Sequence, residues 1–208
     1  MVSNSAHALD IARELIQLEA DAVRSVSKQL DTSFLESVDL ALASTGKIFT
    51  VGSGTSGMIA RRLAHLLSVC GSSSVFLHPM DALHGSSGAL EAGDLLIAIS
   101  KGGESAEINQ LLTLARSRGV KIVALTAKPE SAIAALADVT VKLTTSEGAD
   151  PGGVIAMGST LVTAVWGDAL AYVLMHYNGY SWNEVLEAHP AGAVGQITAE
   201  PDNVRNLV

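Results

Sequence analysis

Two short stretches of this sequence concentrate glycine and hydroxyl side chains where a strand hands over to a helix. The first is Gly52-Ser53-Gly54-Thr55-Ser56-Gly57 and the second is Ser100-Lys101-Gly102-Gly103-Glu104-Ser105. Glycine lets a backbone approach a ligand closely, and a helix N-terminus offers N–H groups that have no partner inside the helix. Hydroxyls added to such a terminus suit the oxygens of a phosphate monoester. Lys101 adds a formal positive charge. Each loop alone has a plainer reading: a tight turn, a solvated lysine, or Glu104 and Ser105 capping a helix. Two such loops on one edge of a sheet favour capture of a small phosphorylated molecule.

The first loop also fits G-x-G-x-x-G, the dinucleotide fingerprint. That use requires an acidic residue closing the next strand to hold a ribose. Here the strand SSVFL ends in His78-Pro79, and Asp81 lies past the turn. The hydroxyls of Ser53, Thr55 and Ser56 fit a terminal phosphate better, so no nucleotide cofactor is expected.

The elements that must position these loops are readable from apolar rhythm. KIFTVG, SSVFLH, GDLLIAIS, KIVALTA and DVTVKLTT are short, largely apolar runs, at least three of them separated by helical segments. Such runs predict a parallel sheet with helices on both faces, and ligands outside the carboxyl ends of its strands. Helices are predicted over residues 6–30, from 31 to about 44, 58–71, 104–117, 129–137, 155–177 and 181–188. Leu9, Ala12, Ile16, Val23, Val26 and Leu30 form a heptad-like stripe on the first, suited to packing on the domain or on a second subunit. The expected organisation is N-terminal helices over 1–45, an α/β domain over 46–195 and a tail over 196–208.

Composition narrows the classes further. Hydrophobic residues make up 48% and charged residues 16% of the 208 residues, a surplus that suggests oligomer interfaces in addition to a core. Basic residues number 13 against 21 acidic, for a net charge of -8, and no basic stripe is visible, which argues against a nucleic-acid partner. An anionic ligand must then be held by local donors. The single cysteine, Cys70, excludes an intramolecular disulfide and a multi-cysteine metal site. The N-terminus shows no basic segment followed by an apolar stretch, and the apolar region from Val154 to Met175 is interrupted by Asp168. The expectation is a cytoplasmic protein with no membrane partner and no catalytic metal.

Four stretches, GSGTSGMIARRLA, LHPMDALHGSSG, AISKGGESAEI and WGDALAYVL with AHPAGAVG, resemble the SIS (sugar isomerase) family, and among it the arabinose-5-phosphate isomerases. The likeness runs from about Gly46 to Gly195, and the paired motifs HPxxAxHG and HPxGAxG are its most specific part. The resemblance implies a flavodoxin-like, five-stranded parallel sheet flanked by helices, with an N-terminal helical extension. It also implies a dimer or tetramer whose sites are completed by a neighbouring subunit, and aldose–ketose isomerisation of a sugar phosphate. By position, Ser56, Ser100 and Ser105 match phosphate-loop hydroxyls, and Ser53, Gly54, Thr55, Lys101, Gly102, Gly103 and Glu104 belong to the same two loops. Glu147 matches the proton-transferring base and His189 is the candidate for ring opening. Glu107 is placed to position hydroxyls or share a proton, and His84 is the second histidine, acting in its own or an adjoining site. Two departures stand out. Thr55 replaces a lysine usual in arabinose-5-phosphate isomerases, and Lys101-Gly102 replaces Asn-Ser, so Lys101 is expected to supply part of the missing charge. Many relatives carry C-terminal CBS modules; the sequence stops before one, and control of that kind is expected to be absent. The competing reading is a sugar-phosphate sensor without turnover, or another enzyme of the family such as a hexulose-phosphate isomerase.

Overall fold

The apolar runs are buried strands. In the computed structural model, which describes residues 5–197 and residue 199, β1 (Ile48–Gly52) and β3 (Leu95–Ile99) are buried at every position. Strands covered on both faces must be apolar throughout. With β2 (Ser74–Phe76), β4 (Lys121–Thr126) and β5 (Val139–Lys142) they form one five-stranded sheet in the order β2-β1-β3-β4-β5. Every neighbouring pair runs parallel. The chain steps to one side of β1 for β2 and to the other for β3, so a crevice opens between the carboxyl ends of β1 and β3. Gly52 pairs with Ile99 there, and the loops that follow leave the sheet side by side.

Helices cover both faces. One apolar core joins the sheet to α1 (Ser5–Ser25), α2 (Thr32–Ala43), α3 (Gly54–Val69), α7 (Gly158–Tyr177) and α8 (Trp182–Glu187). A second core lies under α4 (Pro79–Leu83), α5 (Ala106–Ser117) and α6 (Ala132–Leu136). Trp166 of α7 is fully buried and meets Phe34 of α2 edge-on, with ring centroids 5.7 Å apart. Among the described residues α7 alone is long and apolar enough to cross a membrane. Here it is a core helix, with Val162, Trp166, Leu170 and Leu174 buried over the sheet. Cys70 is buried, and that burial pushes its thiol above its ordinary pKa, as befits an inert core residue.

Several boundaries differ from the sequence reading, each for a local reason. The helix expected over 6–30 is α-helical only to Ser25, whose hydroxyl donates to the Ala22 carbonyl at 2.6 Å; a 3₁₀ turn over Val26–Lys28 follows. Its apolar stripe divides in two. Val26 is buried and Val23 half-buried, while Leu9, Ile16 and Leu30 stand 55%, 62% and 38% exposed. A turn was expected at Pro79, but His78 in N-cap position and Pro79 at the first helical position start α4 instead. The helix expected from 155 begins at Gly158, after a 3₁₀ turn over Pro151–Gly153. The helix expected from 104 begins at Ala106. Most of the anticipated C-terminal tail lies outside the described residues.

Candidate active site

The two glycine- and hydroxyl-rich loops meet at the crevice. Gly57 packs the first turn of α3 against the end of β1: a Cβ there would stand 2.7 Å from the Gly52 carbonyl oxygen. Ser53 then reaches across and donates to Glu107 Oε1 of α5 at 2.5 Å, joining the two loops. That hydroxyl, with a backbone N–H, holds the Glu107 carboxyl below its usual value. Glu107 is thus an ionised anchor for a hydroxyl. In the second loop Ser100 Oγ accepts from the Gly103 N–H at 3.1 Å and lies 3.5 Å from Ser105 Oγ. Gly103 has φ +73°, and an added Cβ would fall 1.9 Å from Ser131 Oγ, so only glycine fits. Ser56 is half-buried, and Gly54, Thr55 and Gly102 are exposed. Glu104 accepts from the Ala132 N–H at 3.0 Å, at the start of α6, and not from the helix that its own loop opens.

Glu147 stands exposed on the segment between β5 and α7. On its upstream side, the Gln29 amide pairs both ways with Thr144: its Nε2 donates to the carbonyl at 3.0 Å and its Oε1 accepts from the N–H at 2.8 Å. The side chain thereby extends the hydrogen bonding of the sheet past β5. Next to Glu147, Gly148 faces Leu18 of α1, so closely that a Cβ would lie 3.3 Å from Leu18 Cδ1. On the downstream side is Asp150, with its side chain 4% exposed. Its carboxylate accepts from Lys101 Nζ at 2.5 Å, from the Met157 N–H at 2.8 Å and from the Ser159 N–H at 3.0 Å. Burial by itself would raise this carboxyl, but the ammonium and the N–H donors outweigh it and hold it at about 2. The positive charge expected to serve the phosphate is paired with a carboxylate.

Between these parts lies a cleft with about 520 Å³ of atom-free space, partly open to solvent; Ser56, Lys101, Thr126, Thr145 and Ser159 are among its lining residues. Thr145 Oγ1 is buried without a hydrogen-bond partner. The rest of its lining is largely apolar, with Ile59, Ile99, Leu125, Leu143 and Val162. The histidines are set apart. His84 is exposed at the end of α4, and His189 Nδ1 lies 2.6 Å from the Val185 carbonyl oxygen at the end of α8. Among the described residues neither bonds another candidate side chain. The fold therefore gathers Ser53, Glu107, Ser100, Gly103 and Ser105 into one cluster and Lys101 into a second with Asp150. Gln29, Asp150 and Thr145 were not singled out by the sequence reading, and no motif or periodicity marks them.

A family model described as the SIS domain matches residues 41–173. Arabinose 5-phosphate isomerase KdsD of Pseudomonas aeruginosa is 36% identical over 185 residues, which is 89% of this chain and 57% of that protein. The protein of the same name from Escherichia coli K12 is 33% identical over 184 residues, 88% of this chain and 56% of its own length. The chain thus spans a little over half the length of these curated relatives. Among solved structures, a Listeria monocytogenes protein put forward as a sugar-phosphate isomerase superposes with a TM-score of 0.86 at 32% identity, covering 90% of this chain and 98% of that one. An E. coli CFT073 protein in complex with a sugar phosphate has the same TM-score at 29% identity, covering 90% of this chain and all of that one.

Proposed function

The chain belongs to the SIS-domain family, and on that premise we propose that it interconverts an aldose phosphate and its ketose through a cis-enediol. The observation that carries the reading is the pairing of two donor-rich loops at the β1/β3 crevice, with a carboxylate, Glu147, on the loop after β5. Supporting it are relatives named arabinose 5-phosphate isomerase and a neighbouring structure in complex with a sugar phosphate.

In this reading the phosphate does not react and serves as a handle. The hydroxyls of Ser56, Ser100 and Ser105 and the N-termini of α3 and α5 receive it, so that binding energy orients C1 and C2. The hydroxyls of the cleft hold the sugar's own. Glu147 takes the proton from one carbon and returns it to the other, a role worth about 10²–10⁴ in rate. His189 protonates the ring oxygen to open a cyclic sugar, with His84 as its complement. Because neither histidine joins the cluster within one chain, both act in a site completed across subunits of a cytoplasmic homo-oligomer, a dimer or a tetramer. Leu9 and Ile16, exposed together on one face of the first half of α1, are offered to a second copy.

The test is proton exchange in D₂O, followed by NMR over pentose, tetrose and hexose phosphates, for the wild type and Glu147→Gln. Deuterium entering C1 or C2 of one sugar, and lost in the variant, is the expected result. Binding without exchange across the panel would replace this reading with that of a sensor.

A further inference from the structure

Asp150 fastens together two segments that are far apart in the chain. One of its oxygens faces Lys101, which directly follows Ser100 of the phosphate loop; the other accepts from the Met157 and Ser159 N–H groups at the start of α7. Glu147 lies three residues upstream of Asp150 on the segment so fastened. At 4% exposure the carboxylate is out of water, and the ammonium is the cation that faces it. To serve a phosphate, that ammonium would have to leave or share a buried carboxylate. The Lys101 side chain is 44% exposed, so water reaches the lysine, but the carboxylate it pairs with is buried, and stripping that buried ion of its partner is unfavourable.

We propose that Lys101 is a positioning residue for Glu147: its ammonium, through Asp150, holds the loop bearing the base against the loop that receives the phosphate. This rests on the isomerase reading above. It replaces the expectation that Lys101 makes up the charge missing at Thr55. The lysine and its carboxylate form a strut between the two halves of the site, and the phosphate is left to neutral donors.

The experiment compares steady-state kinetics of Lys101→Met, Asp150→Asn, the double variant and Lys101→Arg, with inorganic phosphate as a competitive probe of the phosphate loops. Asn at 150 keeps an oxygen for the two N–H groups and removes the charge, so the fold is retained. A misplaced base loses rate without losing the handle. Each single substitution is therefore expected to lower kcat about tenfold or more, with KM and the inhibition constant of inorganic phosphate within about threefold of wild type. The double variant should be no worse than the poorer single one, and Lys101→Arg should recover most of kcat. A tenfold rise in KM and in the phosphate inhibition constant for Lys101→Met, with Asp150→Asn unaffected in kcat, would overturn the proposal and make Lys101 a phosphate ligand. If the wild type turns over no sugar on the panel, the isomerase reading fails, and hydrogen exchange of residues 145–157 still tests the strut. Faster exchange in both single variants supports it, and unchanged exchange overturns it.

Discussion

The Lys101–Asp150 pair also makes a quantitative claim about stability. A carboxyl that titrates at about 2 in the fold and near 3.8 in the open chain contributes about 2 kcal/mol at neutral pH. Because the folded group titrates below the unfolded one, this contribution is complete above roughly pH 5 and is lost as pH falls through about 2. At about pH 3 roughly half of it remains. Asp150→Asn removes the charge while keeping an acceptor for Met157 and Ser159. Urea unfolding at fixed protein concentration is the assay. At pH 7 the variant's midpoint should lie about 1 M below that of wild type, and the gap should close to about half that near pH 3. Other carboxyls held low in the fold, such as Asp138 beside Lys121, lose their contributions equally in both proteins and cancel in the difference. A midpoint gap that is the same at both pH values, or no gap at pH 7, would refute the account of Asp150 as a buried carboxylate held ionised by Lys101 and the N–H donors of Met157 and Ser159.

Gln29→Ala should remove two hydrogen bonds from the Thr144 backbone and cost about 1–2 kcal/mol, read by thermal or urea unfolding. In the isomerase assay the same variant should lose kcat more than it gains in KM, since Thr144 leads into the Glu147 loop. Ser53→Ala should let the Glu107 carboxyl rise toward its ordinary value, visible in a ¹³C-carboxyl NMR titration; an unmoved titration would show that Ser53 is not what holds it down. Gly103→Ala should destabilise the fold by about 1–3 kcal/mol or more, because its positive φ strains any other residue and the new Cβ meets Ser131. A variant with wild-type unfolding would contradict the geometry of that loop.

The sheet was legible in the sequence because its central strands β1 and β3 are apolar on both faces and the strands are punctuated by glycine or a helical run. The two donor-rich loops were legible for the same reason, since their glycines sit where strand passes to helix. What escaped was decided by contacts between distant segments. Gln29 pairs with Thr144, 115 positions away, and Lys101 with Asp150, 49 positions away. Nothing in the local pattern around a glutamine or a Pro-preceding aspartate announces such a partner. Glu104 belongs to the second loop by position, yet its carboxylate accepts from the Ala132 N–H at the start of α6, a contact between segments 28 positions apart. Similarly, the exposed and buried halves of the α1 stripe are indistinguishable by periodicity; only the placement of α7 decides which half is covered.

The pairing of Lys101 leaves the two glycine- and hydroxyl-rich loops without an unopposed formal cation, since Thr55 is neutral and Glu107 is ionised. A dianion arriving there is met by the amide dipoles at the starts of α3 and α5, each equivalent to roughly half a charge and felt within about one turn. Dissolved salt acts most on exposed formal charges at longer range. With no unopposed cation at the loops, the net charge of -8 and the ionised Glu107 oppose an arriving dianion, so in the proposed reaction substrate capture should quicken as added salt screens that repulsion.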